Sequence, residues 1–221
     1  MADGNGKRLF VGVRVSVPCA NALAACAETL ARRTKDARLD VKWVAPANYH
    51  VTLKFLGWTR EDAIGALRDG LDAALAGVAP FRFRTARLGA FPSLDKASVL
   101  WAGVEHGAAL AELAGRVETA CAALGFVAEK RAFHAHVTLG RLREIRPIRE
   151  VVLPLSEQMF SDTRVDGVTL FESETKSSGS VYREFHRISF KQPEIAEKRQ
   201  TPALDLGDET DDGWPRGHGG F

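Results

Sequence analysis

Two tetrapeptides in this 221-residue chain are identical: His50-Val51-Thr52-Leu53 and His136-Val137-Thr138-Leu139. The chain holds six histidines in all, so a repeated word built on one is informative. A neutral imidazole takes a proton from an attacking oxygen, and a protonated one gives a proton to a leaving oxygen. With an ordinary histidine pKa of about 6.5, both forms coexist around neutral pH. A hydroxyl two residues further on donates to a non-bridging oxygen, where charge builds in a transition state. Two such units face to face make a metal-free acid–base site for phosphoryl chemistry.

On a strand, alternate residues share a face. His50, Thr52 and Lys54 are expected to point one way, with Val51, Leu53 and Phe55 behind. In the second copy His136, Thr138 and Gly140 share the active face, with Val137, Leu139 and Arg141 behind. Each histidine then lies about 7 Å along the strand from its threonine. Lys54 is a candidate phosphate contact. Arg141 becomes one if the register breaks at the strand end. His134 shares a face with His136 and is expected at the rim, whereas His106, His186 and His218 are expected outside the site. Lys130, Arg131 and Arg143 are candidates for a basic rim. Trp43, Trp58 and Trp101 are expected in the core rather than as base-stacking platforms, and Phe10 and Tyr182 as groove lining. No carboxylate sits at ligand spacing beside either copy, so neither a metal nor a cofactor is expected.

These two strands need a scaffold. Apolar patterning predicts strands at 9–15, 39–44, 49–56, 81–88, 98–104, 133–142, 165–171 and 181–190, with a strand-like piece at 126–128. Helices are predicted over 18–35, 60–76 and 107–124, the second from Ile64, Leu67, Leu71 and Leu75 on one face. Gly125 is a plausible helix stop. Residues 146–160, with Pro147 and Pro154, read as a loop with a short helical turn. The series strand, helix, short strand, His-Val-Thr strand occurs twice, from Phe10 to His50 and from Leu100 to His136. It predicts two pseudo-symmetric lobes, each presenting one His-Val-Thr strand.

The bulk composition sets bounds. Apolar residues make up 45% and charged residues 26%, as in ordinary globular proteins. Residues 192–221 hold seven acids and three bases and read as a disordered acidic tail, rich in Gly and Pro. The remaining body is mildly basic, which suits an anionic ligand without being a dedicated nucleic-acid charge patch. Three cysteines without CxxC spacing predict neither a disulfide framework nor a zinc site, and so a reducing cytoplasm. No targeting h-region and no membrane-length apolar run is present. The chain is expected to act as a monomer.

The paired His-x-Thr words resemble those of the 2H phosphoesterases. His50–Gly57 (His-Val-Thr-Leu-Lys-Phe-Leu-Gly) and His136–Arg141 (His-Val-Thr-Leu-Gly-Arg) look like the RNA 2′,3′-cyclic phosphodiesterase branch, also called bacterial 2′-5′ RNA ligase. Arg8-Leu9-Phe10-Val11, Phe91-Pro92-Ser93, Leu100–Val104 and Leu170–Ser173 followed by Tyr182 extend the resemblance over about 7–191. Ala135 departs from it, since family members often carry Pro before the second histidine. The resemblance implies a bilobal α+β domain over 1–191, with antiparallel sheets flanking a central groove and helices outside. It implies hydrolysis of 2′,3′-cyclic phosphates on RNA ends or nucleotides to 2′-phosphates, with His50 the proton donor, His136 the proton acceptor, and Thr52 and Thr138 the phosphate ligands. The same site run in reverse gives 2′-5′ ligation. Two alternatives stand beside it. One is the same chemistry on 2′-5′ oligonucleotides or an ADP-ribose-type cyclic phosphate. The other is a non-catalytic RNA-binding module.

Overall fold

A computed structural model describes residues 5–176 and 179–191. The acidic segment 192–221 lies outside the described residues. Among those residues the strands are β1 (Gly6–Arg14), β2 (Val41–Trp43), β3 (His50–Arg60), β4 (Phe81–Phe91), β5 (Ala97–Glu105), β6 (His136–Arg146), β7 (Met159–Val165), β8 (Gly167–Lys176) and β9 (Gly179–Ser189). The helices are α1 (Val17–Asp36), α2 (Glu61–Leu75), α3 (Ala108–Ala123) and the short α4 (Arg149–Val152).

Local signals explain the long helices. Ser16 caps α1 by accepting from the Cys19 amide at 3.3 Å, and Pro18 sits in its first turn. In α2 the buried stripe is Ile64, Leu67, Leu71 and Leu75, and Glu61 and Asp62 stand at the end where the helix dipole favours acids. In α3 the stripe is Leu110, Leu113, Val117 and Cys121, and Gly125 ends the run at φ +84°. These stripes cover one face of the sheet. Each fully buried leucine among them contributes about 1.5–3 kcal/mol against exposure.

The sheet is antiparallel throughout and runs β7-β4-β5-β6-β3-β1-β8-β9, with β2 paired to β6. The β6–β3 contact divides the order into two sets of four strands, β7-β4-β5-β6 and β3-β1-β8-β9, as two similar lobes require. That contact is a single residue pair, Val51 opposite Val137, from which the two strands splay. The helices cross over between lobes: α1 follows β1 but packs on β7, and α3 follows β5 but packs on β3. The lobes therefore share one core.

Two expectations fail. Strand β7 starts inside the stretch read as a loop, at Met159, and runs to Val165, the residue expected to open the next strand. Met159-Phe160-Ser161-Asp162 lacks an apolar alternation because β7 is an edge strand, paired only to β4. Conversely, 126–128 forms no strand.

Candidate active site

The register of the two His-Val-Thr strands determines what surrounds them. Opposite β1, Gly12 pairs with Thr52 and Val11 with Lys54, so Leu53 is an extra residue. Opposite β5, Trp101 pairs with Thr138 and Leu100 with Gly140, so Leu139 is an extra residue. Both strands thus carry a β-bulge one residue after the threonine. A bulge reverses the alternation beyond it. His50 and Thr52 stay on the groove face, as do His136 and Thr138. Beyond the bulge, Lys54 and Gly140 turn inward and Phe55 and Arg141 turn outward.

This overturns the expected placement of Lys54. Its side chain is 2% exposed and its ammonium leaves the groove for the helical side. There it donates to both Glu118 carboxylate oxygens at 2.8 Å and to the Val127 carbonyl at 2.9 Å. Glu118 also accepts from the Glu129 amide at 3.2 Å, so the pair holds the segment that leads to His134 and His136. The carbonyl expected in a strand at 126–128 is satisfied by this ammonium instead.

Arg141 takes the opposite course. It is exposed on the groove face, and its positive charge bears on both His50 and His136. Among the described residues its guanidinium enters no ion pair or side-chain hydrogen bond, which leaves its fork of donors free for an anion. The other rim candidates are partly committed: Arg131 pairs with Glu129 at 2.8 Å and Arg143 with Asp40 at 2.8 Å, while Lys130 is exposed.

The two histidines are held alike. His50 Nδ1 donates to the Asn48 carbonyl at 2.6 Å, and His136 Nδ1 to the His134 carbonyl at 2.7 Å, each two residues upstream. This leaves Nε2 in each ring as the nitrogen without a backbone partner. The Thr52 hydroxyl donates to His50 Nε2 at 3.0 Å. Thr138 has no side-chain hydrogen bond among the described residues. Burial lowers the His50 pKa to about 4, opposed by the Asn48 bond and reinforced by Arg14, His136 and Arg141. His136 is lowered too, first by burial and then by His134 and Arg141, against its bond to the His134 carbonyl. Without an anion both rings are therefore held toward the neutral form.

Aromatic rings wall the histidines. Phe10 lies 4.8 Å from His50 between centroids, and Tyr182 meets it edge-on at 5.2 Å. On the other side Phe91 meets His136 edge-on at 4.9 Å. His134 lies 5.0 Å from Trp101 and 6.1 Å from His136, at the rim as expected. Trp43 and Trp101 are half-buried, but Trp58 is 66% exposed and is no core residue. His186 pairs with Asp72 at 3.0 Å, away from the histidine pair. Sequence reasoning did not single out Arg14. It pairs in register with His50, lies 5.0 Å over the Phe171 ring, and bonds Glu184 and the Ala47 carbonyl. The available signal was its position as the one charge inside the apolar run 9–15. Among the described residues no cluster of three His, Cys, Asp or Glu side chains could hold a metal ion.

The sequence profile of the LigT like Phosphoesterase family matches residues 17–101 and 103–182. The chain belongs to this family. It is a 2H phosphoesterase, and the two matched stretches carry one His-Val-Thr word each. The LigT-like relatives include a protein of Aeropyrum pernix, 32% identical over 154 residues that cover 68% of this chain and 86% of the relative. One of Aquifex aeolicus is 31% identical over 68% of this chain and 82% of its own length. Both bear the name RNA 2′,3′-cyclic phosphodiesterase. The crystal structure of TT0787 of Thermus thermophilus superposes with a TM-score of 0.69 at 26% identity, covering 84% of this chain and 98% of that one. Escherichia coli LigT in apo form shares the fold, with a TM-score of 0.66 at 22% identity over 85% of this chain and 99% of that one.

Proposed function

We propose that this LigT-like phosphoesterase hydrolyses 2′,3′-cyclic phosphates of RNA ends or nucleotides to 2′-phosphates, by paired-histidine acid–base catalysis without a metal. The observation that carries the reading is the matched pinning of two imidazoles beside one uncommitted guanidinium. The names of the relatives point to the same substrate. Water attacks phosphorus while His136 Nε2 takes its proton. The P–O3′ bond breaks, and His50 Nε2 gives its proton to the departing 3′ oxygen. Thr52, Thr138 and Arg141 donate to the non-bridging oxygens as charge gathers there. Lys54, committed to Glu118, has no part in this contact.

For His50 to carry a proton, its depressed pKa must rise on binding. A phosphate anion beside it opposes the burial and the Arg14 and Arg141 charges that keep it neutral when empty. The Thr52 hydroxyl is then released from Nε2 to the phosphate. A 5′-hydroxyl in place of water gives the 2′-5′ linkage by the same proton transfers. Both words lie on one chain, which supports action as a monomer. Free, buried Cys19, Cys26 and Cys121 suit a reducing cytoplasm. Among the described residues no helix is long and apolar enough to cross a membrane.

The test is turnover of an RNA oligonucleotide ending in a 2′,3′-cyclic phosphate, in EDTA, by the parent and by His136→Ala. Conversion to a 2′-phosphate by the parent alone is expected. No conversion by folded parent, or activity that EDTA abolishes, overturns the reading.

A further inference from the structure

The groove face does not end at the catalytic centre. Residues directly opposite on antiparallel strands share a face. From Arg14 opposite His50, the groove face of β1 and β3 continues through Gly12 opposite Thr52 and Phe10 opposite Phe55 to Arg8 opposite Trp58. Strand β1 is regular over this span, because both extra residues, Leu53 and Leu56, lie on β3. The six steps from Arg14 to Arg8 cover about 20 Å at ~3.3 Å each. The second bulge, at Leu56, brings Trp58 onto the groove face.

At the far end stand groups that the fold does not use. Phe55 and Trp58 are each 66% exposed. The Trp58 indole lies against the bare backbone of Gly6, where a Cβ would come within 2.9 Å of its Nε1 and 3.0 Å of its Cε2. One side of the indole is seated by that glycine and the rest is open. Arg8 is exposed and enters no ion pair or side-chain hydrogen bond among the described residues. Toward the catalytic end, Phe55 lies 5.9 Å from the buried Phe10, which itself lies 4.8 Å from His50, so one packed ring backs both the exposed Phe55 and the histidine.

We propose that Phe55, Trp58 and Arg8 form a binding track for the single-stranded RNA that precedes the reacting end, with bases stacking on the exposed rings and Arg8 meeting a backbone phosphate. Exposed aromatics interleaved with an uncommitted cation are what sequence-tolerant single-strand binding needs. The track is continuous with the catalytic groove, so it selects a strand over a mononucleotide. This rests on the proposed reaction for where the strand ends, but it is tested without turnover.

The experiment measures binding of an RNA hexamer ending in a 2′-phosphate, and of a nucleoside 2′-phosphate, to the parent, Trp58→Ala, Trp58→Phe and Arg8→Ala. The parent is expected to favour the hexamer. Trp58→Ala lowers hexamer affinity about five- to a hundred-fold, the range for losing one stacked base. Trp58→Phe restores most of it. Arg8→Ala reduces the slope of log K against log salt by about 0.7, as loss of one single-strand phosphate contact does. The mononucleotide, too short to reach residue 58, binds all four alike. Equal hexamer affinity in parent and Trp58→Ala, or a parent that binds hexamer no tighter than mononucleotide, overturns the track. A parent that binds the hexamer through Trp58 yet leaves cyclic ends uncut overturns the reaction alone.

Discussion

Lys54 and Gly140 occupy the same place in the two lobes, each directly after the bulged leucine that follows a His-Val-Thr threonine. At Gly140 the missing side chain lets β2 lie against β6, with Val41 and Trp43 filling the space. At Lys54 the long side chain reaches the matching segment of the other lobe and holds it through Glu118 and the Val127 carbonyl. One lobe solves the contact by a small residue and a strand pair, the other by a buried ion pair.

The ion pair is asymmetric in exposure, 2% for the Lys54 side chain and 30% for Glu118. Removing the carboxylate strands a buried charge, whereas removing the ammonium leaves a carboxylate that water can reach. Glu118→Ala is expected to cost about 3–5 kcal/mol, and Lys54→Met distinctly less. Urea unfolding of both variants checks the order, and a costlier Lys54→Met refutes it.

Gly140→Ala should also destabilise. Its Cβ would come within 2.8 Å of Val41 Cγ1 and 3.2 Å of Trp43 Cε3. Val41 is stiff at χ1 and cannot swing aside cheaply. The cost is expected at about 1–3 kcal/mol, with the strain at β2. A denaturant midpoint equal to the parent's would show that β2 yields freely.

Arg141→Ala is expected to lower kcat/KM about a hundred-fold, the scale for losing one donor to developing charge. Arg141→Lys should recover only part, since an ammonium cannot supply the forked pair of donors. Steady-state kinetics on a cyclic-phosphate RNA decides it. A fully active Arg141→Lys would reduce the contribution to plain charge.

The pH dependence has a definite sign. Both histidine pKa values are lowered in the empty protein, His50 to about 4. A bell-shaped kcat/KM profile, which reports the free enzyme, should therefore peak below about pH 6.5. The kcat profile should have its alkaline limb at higher pH, because the bound anion favours imidazolium. Stability follows the same shift. The unfolded chain takes up the His50 proton first as pH falls below about 6.5, so this residue's contribution is present above that and is lost toward pH 4. Thermal unfolding of the parent and His50→Asn between pH 4 and 7 should show the variant less acid-sensitive. A kcat/KM optimum above pH 7 would contradict the burial argument.

Much of the site is legible in the chain itself. A histidine and a threonine two residues apart on a strand share a face whatever the partner strands do, because the alternation is a property of one backbone. The repeat of that word, with Val51, Val137, Leu53 and Leu139 behind it, is enough to predict two facing units. The three long helices follow from equally local patterns and stops.

The tertiary structure decided what lies beyond each threonine. A bulge is a relation between two strands, one extra residue against a partner, and no single strand's sequence counts it. The bulges at Leu53 and Leu139 removed Lys54 from the groove and brought Arg141 into it, and the one at Leu56 exposed Trp58. The pairing of Lys54 with Glu118, 64 residues away, likewise exists only once α3 has crossed over to pack on β3. The chain by itself therefore determined the placement of the four residues whose shared faces depend on local alternation. Packing determined the charges and rings around them, because those depend on which backbone lies opposite.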